Sequence, residues 1–229
     1  MGKKLCAALL MAAALLGLTA CQSGSVTDNA NTYVQGLLDA NYLGEISTDY
    51  LKVTEYADRE AAEADYESYM AQEAEDLLSY LIVSKPTQAV TQRAQEVIRA
   101  IYSHAQYTVA PAEELESGDV TVDVTISPIE FPSLLSDEAL LEIRDQIYES
   151  AGVRSDDTSG LTDEEYQALN EEYANALLDR IEAQLPQLVY GKSLTIPLQL
   201  ENKGGYYSLE ETGLQAVDLV MLDYSGQFA

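Results

Sequence analysis

Few residues in this chain could do covalent or metal chemistry. Among its 229 residues are one histidine, His104, and two cysteines, Cys6 and Cys21, set against 39 acids and 12 bases. A hydrolytic triad would need His104 beside a serine and an acid, and the chain has no Gly-x-Ser-x-Gly elbow to present the serine. His104 falls where a helix is predicted to end, and a partial cation suits a helix C-terminus. It therefore reads as structural. One histidine without thiols does not make an ordinary zinc site. The stretch Ser155-Asp156-Asp157-Thr158-Ser159-Gly160-Leu161-Thr162-Asp163-Glu164-Glu165 has the oxygen donors of a calcium loop. It is one residue out of register: with Gly160 at position 6, Tyr166 occupies position 12. Thr162 and Glu165 instead match a capping box that opens a helix. The adjacent acids Glu113-Glu114, Glu171-Glu172 and Glu210-Glu211 do not face each other on a helix and read as solvated. There is no Walker loop, dinucleotide fingerprint or metalloprotease His-Glu pair. No catalytic, cofactor-binding or metal-binding residue is assigned.

The remaining reactive position is Cys21. It follows Lys3-Lys4, an uncharged apolar run from Leu5 to Leu18, and Leu18-Thr19-Ala20. As a helix the run would reach about 21 Å, short of the roughly 30 Å hydrocarbon core of a bilayer. A cleaved signal fits better than a membrane span. Leu18-Thr19-Ala20-Cys21 resembles the lipobox of bacterial lipoproteins. That resemblance implies diacylglycerol on the Cys21 thiol, cleavage after residue 20, and a mature chain anchored by acyl chains on the extracytoplasmic face of the cell membrane. Two chains meet the requirement for stable anchoring. Residues 1–20 are then a signal peptide and 21–28 a lipidated cysteine with a short tether. Residues 29–229 form one extracytoplasmic domain.

Composition narrows the partners. Cleavage after residue 20 would leave 209 residues and a formal charge of −29. Nucleic acid needs basic patches, so it is excluded as a partner. Anionic lipids and wall polymers are disfavoured for the same reason. With Cys21 acylated, no thiol remains for disulfides or nucleophilic catalysis. The 16 tyrosines, against 2 phenylalanines and no tryptophan, suit half-buried positions where the ring packs and the hydroxyl stays bonded.

Periodicity gives the elements. A first helix is predicted over Asn29–Asn41. A second starts at an Asp58 cap and runs to about Val83, with Tyr66, Tyr69, Met70, Leu77, Leu78 and Leu81 inward and Glu60, Glu67, Glu73 and Asp76 outward. Pro86 opens a third that ends near His104. Val120, Val122, Val124 and Ile126 then alternate with polar residues, marking a half-buried strand whose hairpin partner is Gln106–Pro111. Helices opened by Ser136 and Thr162 follow. A strand from Leu194 to Leu200 comes next, with Pro197 marking an edge or bulge. Asn202-Lys203-Gly204-Gly205 turns into a strand at Tyr206–Glu210, and a helix carries Leu214, Val217 and Met221. The order predicts an α+β fold: an antiparallel sheet of about four strands, as two hairpins, packed against several helices, with a helical insertion near 133–187.

This order resembles uncharacterised Gram-positive surface lipoproteins that carry a domain of unknown function. It implies a cystatin-like or related architecture. The tryptophan expected in that group's last strand is here Tyr206 or Tyr207. The resemblance carries over no catalytic residue. The function that follows is a membrane-anchored extracytoplasmic lipoprotein, a non-enzymatic module binding a protein or peptide, with Tyr50, Tyr56 and Tyr207 as its expected contact surface. The alternatives are a catalytic or accessory subunit of an envelope hydrolase and a small solute-binding lipoprotein of a transporter.

Overall fold

The structure, a computed structural model, describes residues 25–154, 157–204 and 206–228. The expected signal, the cleavage point and Cys21 lie outside the described residues.

Helix α1 is Val26–Leu38, capped by the Ser25 hydroxyl, which accepts from Asp28 N–H at 3.1 Å. The helix therefore begins three residues before the predicted start, and half of the expected tether is cap and first turn. A π-helical turn, Asp39–Leu43, closes on Gly44 at φ +67°. A β-carbon there would also press on the Tyr66 ring at 3.0 Å, so glycine is required twice over. Helix α2, Thr48–Val53, was not anticipated, since six residues carry too little periodicity. It lies against α1 at Gly36, where any β-carbon would meet Tyr50 at 2.5 Å.

Helix α3, Arg59–Tyr80, starts at the predicted Asp58 cap. Helix α4, Gln88–Tyr102, is capped by Thr87, so Pro86 lies just before the cap rather than at the first helical position. Strand β1 is Gln106–Val109, β2 Glu113–Glu114 and β3 Val120–Ser127. Next come β4, Ile129–Glu130, and the short α5, Phe131–Leu134, followed by α6, Asp137–Ser150, and α7, Asp163–Gln184. The capping box of Thr162 and Glu165 is formed in both directions. Strand β5 is Leu194–Asn202, β6 Tyr207–Leu209, α8 Glu211–Met221 and β7 Leu222–Asp223.

The fold is α+β, as predicted. The antiparallel order is β1-β3-β5-β6, with β2 adding to β3. The two hairpins are joined through β3 and β5, which pair from Val120↔Leu200 to Ile126↔Leu194. Val120, Val122, Val124 and Ile126 are fully buried on the inner face, where α1 and α8 lie. Each such side chain contributes roughly 1.5–3 kcal/mol. Helices α3 and α4 pair beyond them, and α7 packs on α4. Arg93 of α4 donates to Asp179 and, at 2.9 Å, to Glu182 of α7, while Arg99 pairs with Glu67 of α3.

Two features had no sequence signal. Strands β4 and β7 pair in parallel, Ile129↔Leu222 and Glu130↔Asp223. Asp223, 1% exposed, holds the loop that follows: its Oδ1 accepts from the N–H groups of Ser225 (3.0 Å) and Gly226 (2.9 Å), and its Oδ2 from Phe228 N–H (2.9 Å). The other feature is the end of α3. Val83 N–H bonds Leu78 carbonyl at 2.9 Å, the closing bond of a Schellman motif, and Ile82 takes the left-handed position at φ +61°. Helix α7 clamps this loop: Tyr173 hydroxyl donates to Leu81 carbonyl at 3.1 Å and buried Asn170 to Ser84 carbonyl at 2.6 Å.

A β-branched residue in the left-handed region is strained, and the Ile82 side chain is 63% exposed, so little packing offsets that cost. Ile82→Gly is expected to stabilise the protein by about 1 kcal/mol. Urea denaturation reads it as a higher midpoint; an unchanged or lower midpoint would show that the strain is absent.

Candidate functional site

Five groups from four elements meet with a sixth from the C-terminal segment. Tyr42 comes from the π-turn, Tyr69 and Glu73 from α3, Tyr102 from α4 and Asp218 from α8; Tyr224 follows β7. The hydroxyls of Tyr42 and Tyr69 both donate to Asp218 Oδ1, the second at 3.2 Å. Tyr102 hydroxyl donates to Glu73 Oε2. Tyr42 packs edge-on to Tyr69 and Tyr102, with centroids 6.3 and 5.2 Å away. Asp218 Oδ2 and the Tyr224 hydroxyl are out of reach of solvent and have no hydrogen-bond partner.

This environment disfavours charge. Burial pushes the Glu73 carboxyl up to about 7; nearby Asp218 and Asp76 add to the rise, and the Tyr102 and Tyr69 hydroxyls oppose it. Burial likewise raises Asp218 to about 6 against the pull of Tyr42 and Tyr69. The groups acting on these carboxyls are tyrosines and other acids. The sequence reading placed Glu73 and Asp76 on a wet face. The signal that could have corrected it is the stripe Tyr66, Tyr69, Glu73, Asp76, Tyr80, spaced three and four apart along one face of α3. Asp218, next to Val217 on the apolar side of α8, is the same kind of signal.

A second feature is open to solvent. A groove of about 570 Å³ is lined by Gln35, Asp39, Leu43, Tyr107, Thr125 and Ser127, among others. Asp39 Oδ1 accepts from Gln35 Nε2 at 2.7 Å and from Tyr107 hydroxyl at 2.6 Å. On the outer sheet face beside it, Thr125 and Thr195 hydroxyls lie 2.8 Å apart, and those of Ser127 and Ser193 3.1 Å apart. The lining has a carboxylate, amides and hydroxyls and no base.

The residues singled out from the sequence fall elsewhere. Tyr50 and Tyr207 are 1% and 5% exposed, and Tyr56 packs against the core, so the expected tyrosine contact surface is not a surface. Their rings fill the joins between elements; Tyr50 lies 6.3 Å from both Tyr33 and Tyr56. His104 lies exposed just past α4, and its carbonyl accepts from Tyr190 hydroxyl at 2.7 Å. Asp157 turns back on Ser159 at 2.7 Å; Ser155 and Asp156 lie outside the described residues. Among the described residues no cluster of three His, Cys, Asp or Glu could hold a metal, and no helix is long and apolar enough to cross a membrane.

The fold has a counterpart among solved structures. The chain is similar to the crystal structure of a putative lipoprotein, YcdA, of Bacillus subtilis, at a TM-score of 0.58 and 14% identity. The likeness covers 86% of this chain and 56% of that one, so this chain spans little more than half the length of its neighbour. No family model and no curated protein matches the sequence.

The raised carboxyls give stability a definite pH dependence. Between the unfolded and folded values the native state holds more protons than the unfolded chain, so stability falls as pH rises. Their contribution is fully present below about pH 4 and is lost as pH passes through about 6 and 7. Urea unfolding is expected to show a loss of a few kcal/mol between pH 5 and pH 8. Glu73→Gln and Asp218→Asn should each flatten the slope. An unchanged slope in both variants would remove these groups as its source.

Proposed function

We propose that this chain is a lipid-anchored extracytoplasmic protein whose folded domain binds a protein or peptide partner without catalysing a reaction. The observation that carries the reading is a spacing. Ser25 caps α1 only four residues after Cys21, the cysteine of the lipobox-like Leu18-Thr19-Ala20-Cys21. Four residues reach at most about 14 Å, so acylation at Cys21 would hold the domain directly over the bilayer. A neighbour of the same fold that is named a putative lipoprotein supports the anchor. The groove at Asp39 lies at the far end of α1, about 20 Å from its start. The surplus of 39 acids over 12 bases disfavours nucleic acid and anionic polymers and leaves basic partners.

The carboxyl pair favours a second reading, a hydrolase of envelope polymers, because acid–base catalysis uses carboxyls titrating near neutrality. Glu73 and Asp218 do not line the groove, and Asp218 Oδ2 is closed to solvent. Turnover of peptidoglycan fragments by the purified protein, abolished in Glu73→Gln, would establish this reading over the first.

Cys21→Ser tests the anchor. The variant is expected to leave the detergent phase for the aqueous phase and to lose its acyl label in cells fed labelled fatty acid. Retention of both in the variant would refute lipidation at Cys21. Photo-crosslinking from the groove on intact cells tests the interaction. A discrete basic protein should be captured, and saturable uptake of a small solute in its place would support the transporter reading.

A further inference from the structure

The two lateral edges of the sheet are treated differently. On the β5 side, β6 pairs with Leu200, Glu201 and Asn202, and Glu210 N–H bonds Gln199 carbonyl at 2.9 Å. Further along, Pro197 has no N–H to offer, and Gly213 of α8 lies against Pro197 and Leu198. The β5 edge is covered there, and the outermost strand on that side, β6, is only three residues long. On the other side β1 is the outermost strand, and no described strand pairs with its free side.

The ladder shows what β1 presents there. Ala110 N–H donates to Asp123 carbonyl at 2.8 Å, which fixes the phase of the pairing with β3. In an antiparallel ladder, bonded and non-bonded pairs alternate. Gln106 and Thr108 therefore share the bonded phase of Ala110, and Tyr107 and Val109 turn their N–H and C=O groups outward. The strand Gln-Tyr-Thr-Val has no proline, lysine or bulge, the usual guards of an exposed edge. The groove runs along this edge, with Gln35, Asp39 and Leu43 as its far wall and Thr125 and Ser127 on the outer sheet face. Asp39 is the only ionisable acid in the lining, and Gln35 and Tyr107 hold it in place.

We propose that the open edge of β1 takes up an extended basic segment of a partner protein, which adds a strand to the sheet and sets a lysine or arginine against Asp39. The proposal rests on the interaction reading above and names its site. Backbone groups of Tyr107 and Val109 would supply sequence-independent hydrogen bonds. Alternate side chains of the added strand would face Asp39 on one side and Gln106 and Thr108 of β1 on the other. Asp39, backed by the chain's acidic surplus, would select a basic occupant over an acidic one.

The probe is the heptapeptide acetyl-Val-Lys-Val-Lys-Val-Lys-Val-amide, added to the full lipidated chain in nanodiscs of zwitterionic lipid. Hydrogen–deuterium exchange should slow at Gln106–Val109. Affinity should fall about fivefold in Asp39→Asn, the loss of one exposed charge pair. The same peptide N-methylated at every residue keeps its charge but loses its strand-forming amides, and it should not protect β1. Its glutamate counterpart should not bind. Unslowed exchange at Gln106–Val109, or equal binding by the N-methylated or glutamate peptide, would overturn the proposal. These peptide comparisons decide the matter even where Asp39→Asn disturbs the turn. A protein captured on cells while Gln106–Val109 stays unprotected refutes the edge and leaves the interaction reading standing.

Discussion

Two half-buried carboxyls, Glu73 and Asp218, have tyrosine hydroxyls as their hydrogen-bond donors, and much of the architecture follows from satisfying them. Removing a carboxylate from water costs several kcal/mol unless donors replace the lost hydration. Here the donors come from three separate places: Tyr42 on the π-turn, Tyr69 on α3 and Tyr102 on α4. Tyr42 and Tyr69 reach Asp218 only when the turn, α3 and α8 are docked together, and Tyr102 reaches Glu73 only when α4 lies on α3. The network therefore ties the last helix to the first third of the chain. The raised affinity of both carboxyls for protons is the energetic trace of that arrangement.

The π-turn joins this interior to the surface. Tyr42 points inward to Asp218, while Asp39, three residues earlier, lies in the groove wall and accepts from Tyr107 of the edge strand. A π-turn inserts an extra residue into the helical register, which is how neighbouring side chains come to serve opposite faces; such turns are frequent at functional sites. A change in the charge of the network would be felt by Tyr42, on the same five-residue turn as Asp39. The groove and the half-buried carboxyls are thus mechanically adjacent although neither lines the other.

Tyrosine does the work that phenylalanine and tryptophan do in other cores. Its ring supplies apolar area and its hydroxyl fastens a neighbouring segment: Tyr173 to Leu81, Tyr190 to His104, Tyr107 to Asp39. The scarce arginines are used in a similar way. Arg93 and Arg99 sit where α4 meets α7 and α3: Arg93 binds two acids of α7 and Arg99 one of α3, joining each acidic helix to α4. The acids exposed on the helix faces keep the surface from self-association.

What the sequence determined alone is what depends on neighbours a few residues apart. The Val120–Ser127 alternation, the Asp58, Ser136 and Thr162 caps and the Asn202–Gly204 turn could all be read directly, because strand period, capping and turn geometry are local. The lipobox-like segment at Cys21 is legible for the same reason. Short elements such as α2 and the β4–β7 pair escaped, having too few residues for a period. The joining of the hairpins through β3 and β5, the inward turn of Glu73 and the burial of Tyr50 and Tyr207 were decided only by the tertiary structure. A side chain on a helix or strand faces whatever the rest of the chain packs against it. The meeting of residue 73 with residue 218 is set by that packing, across a distance at which sequence patterns hold no information.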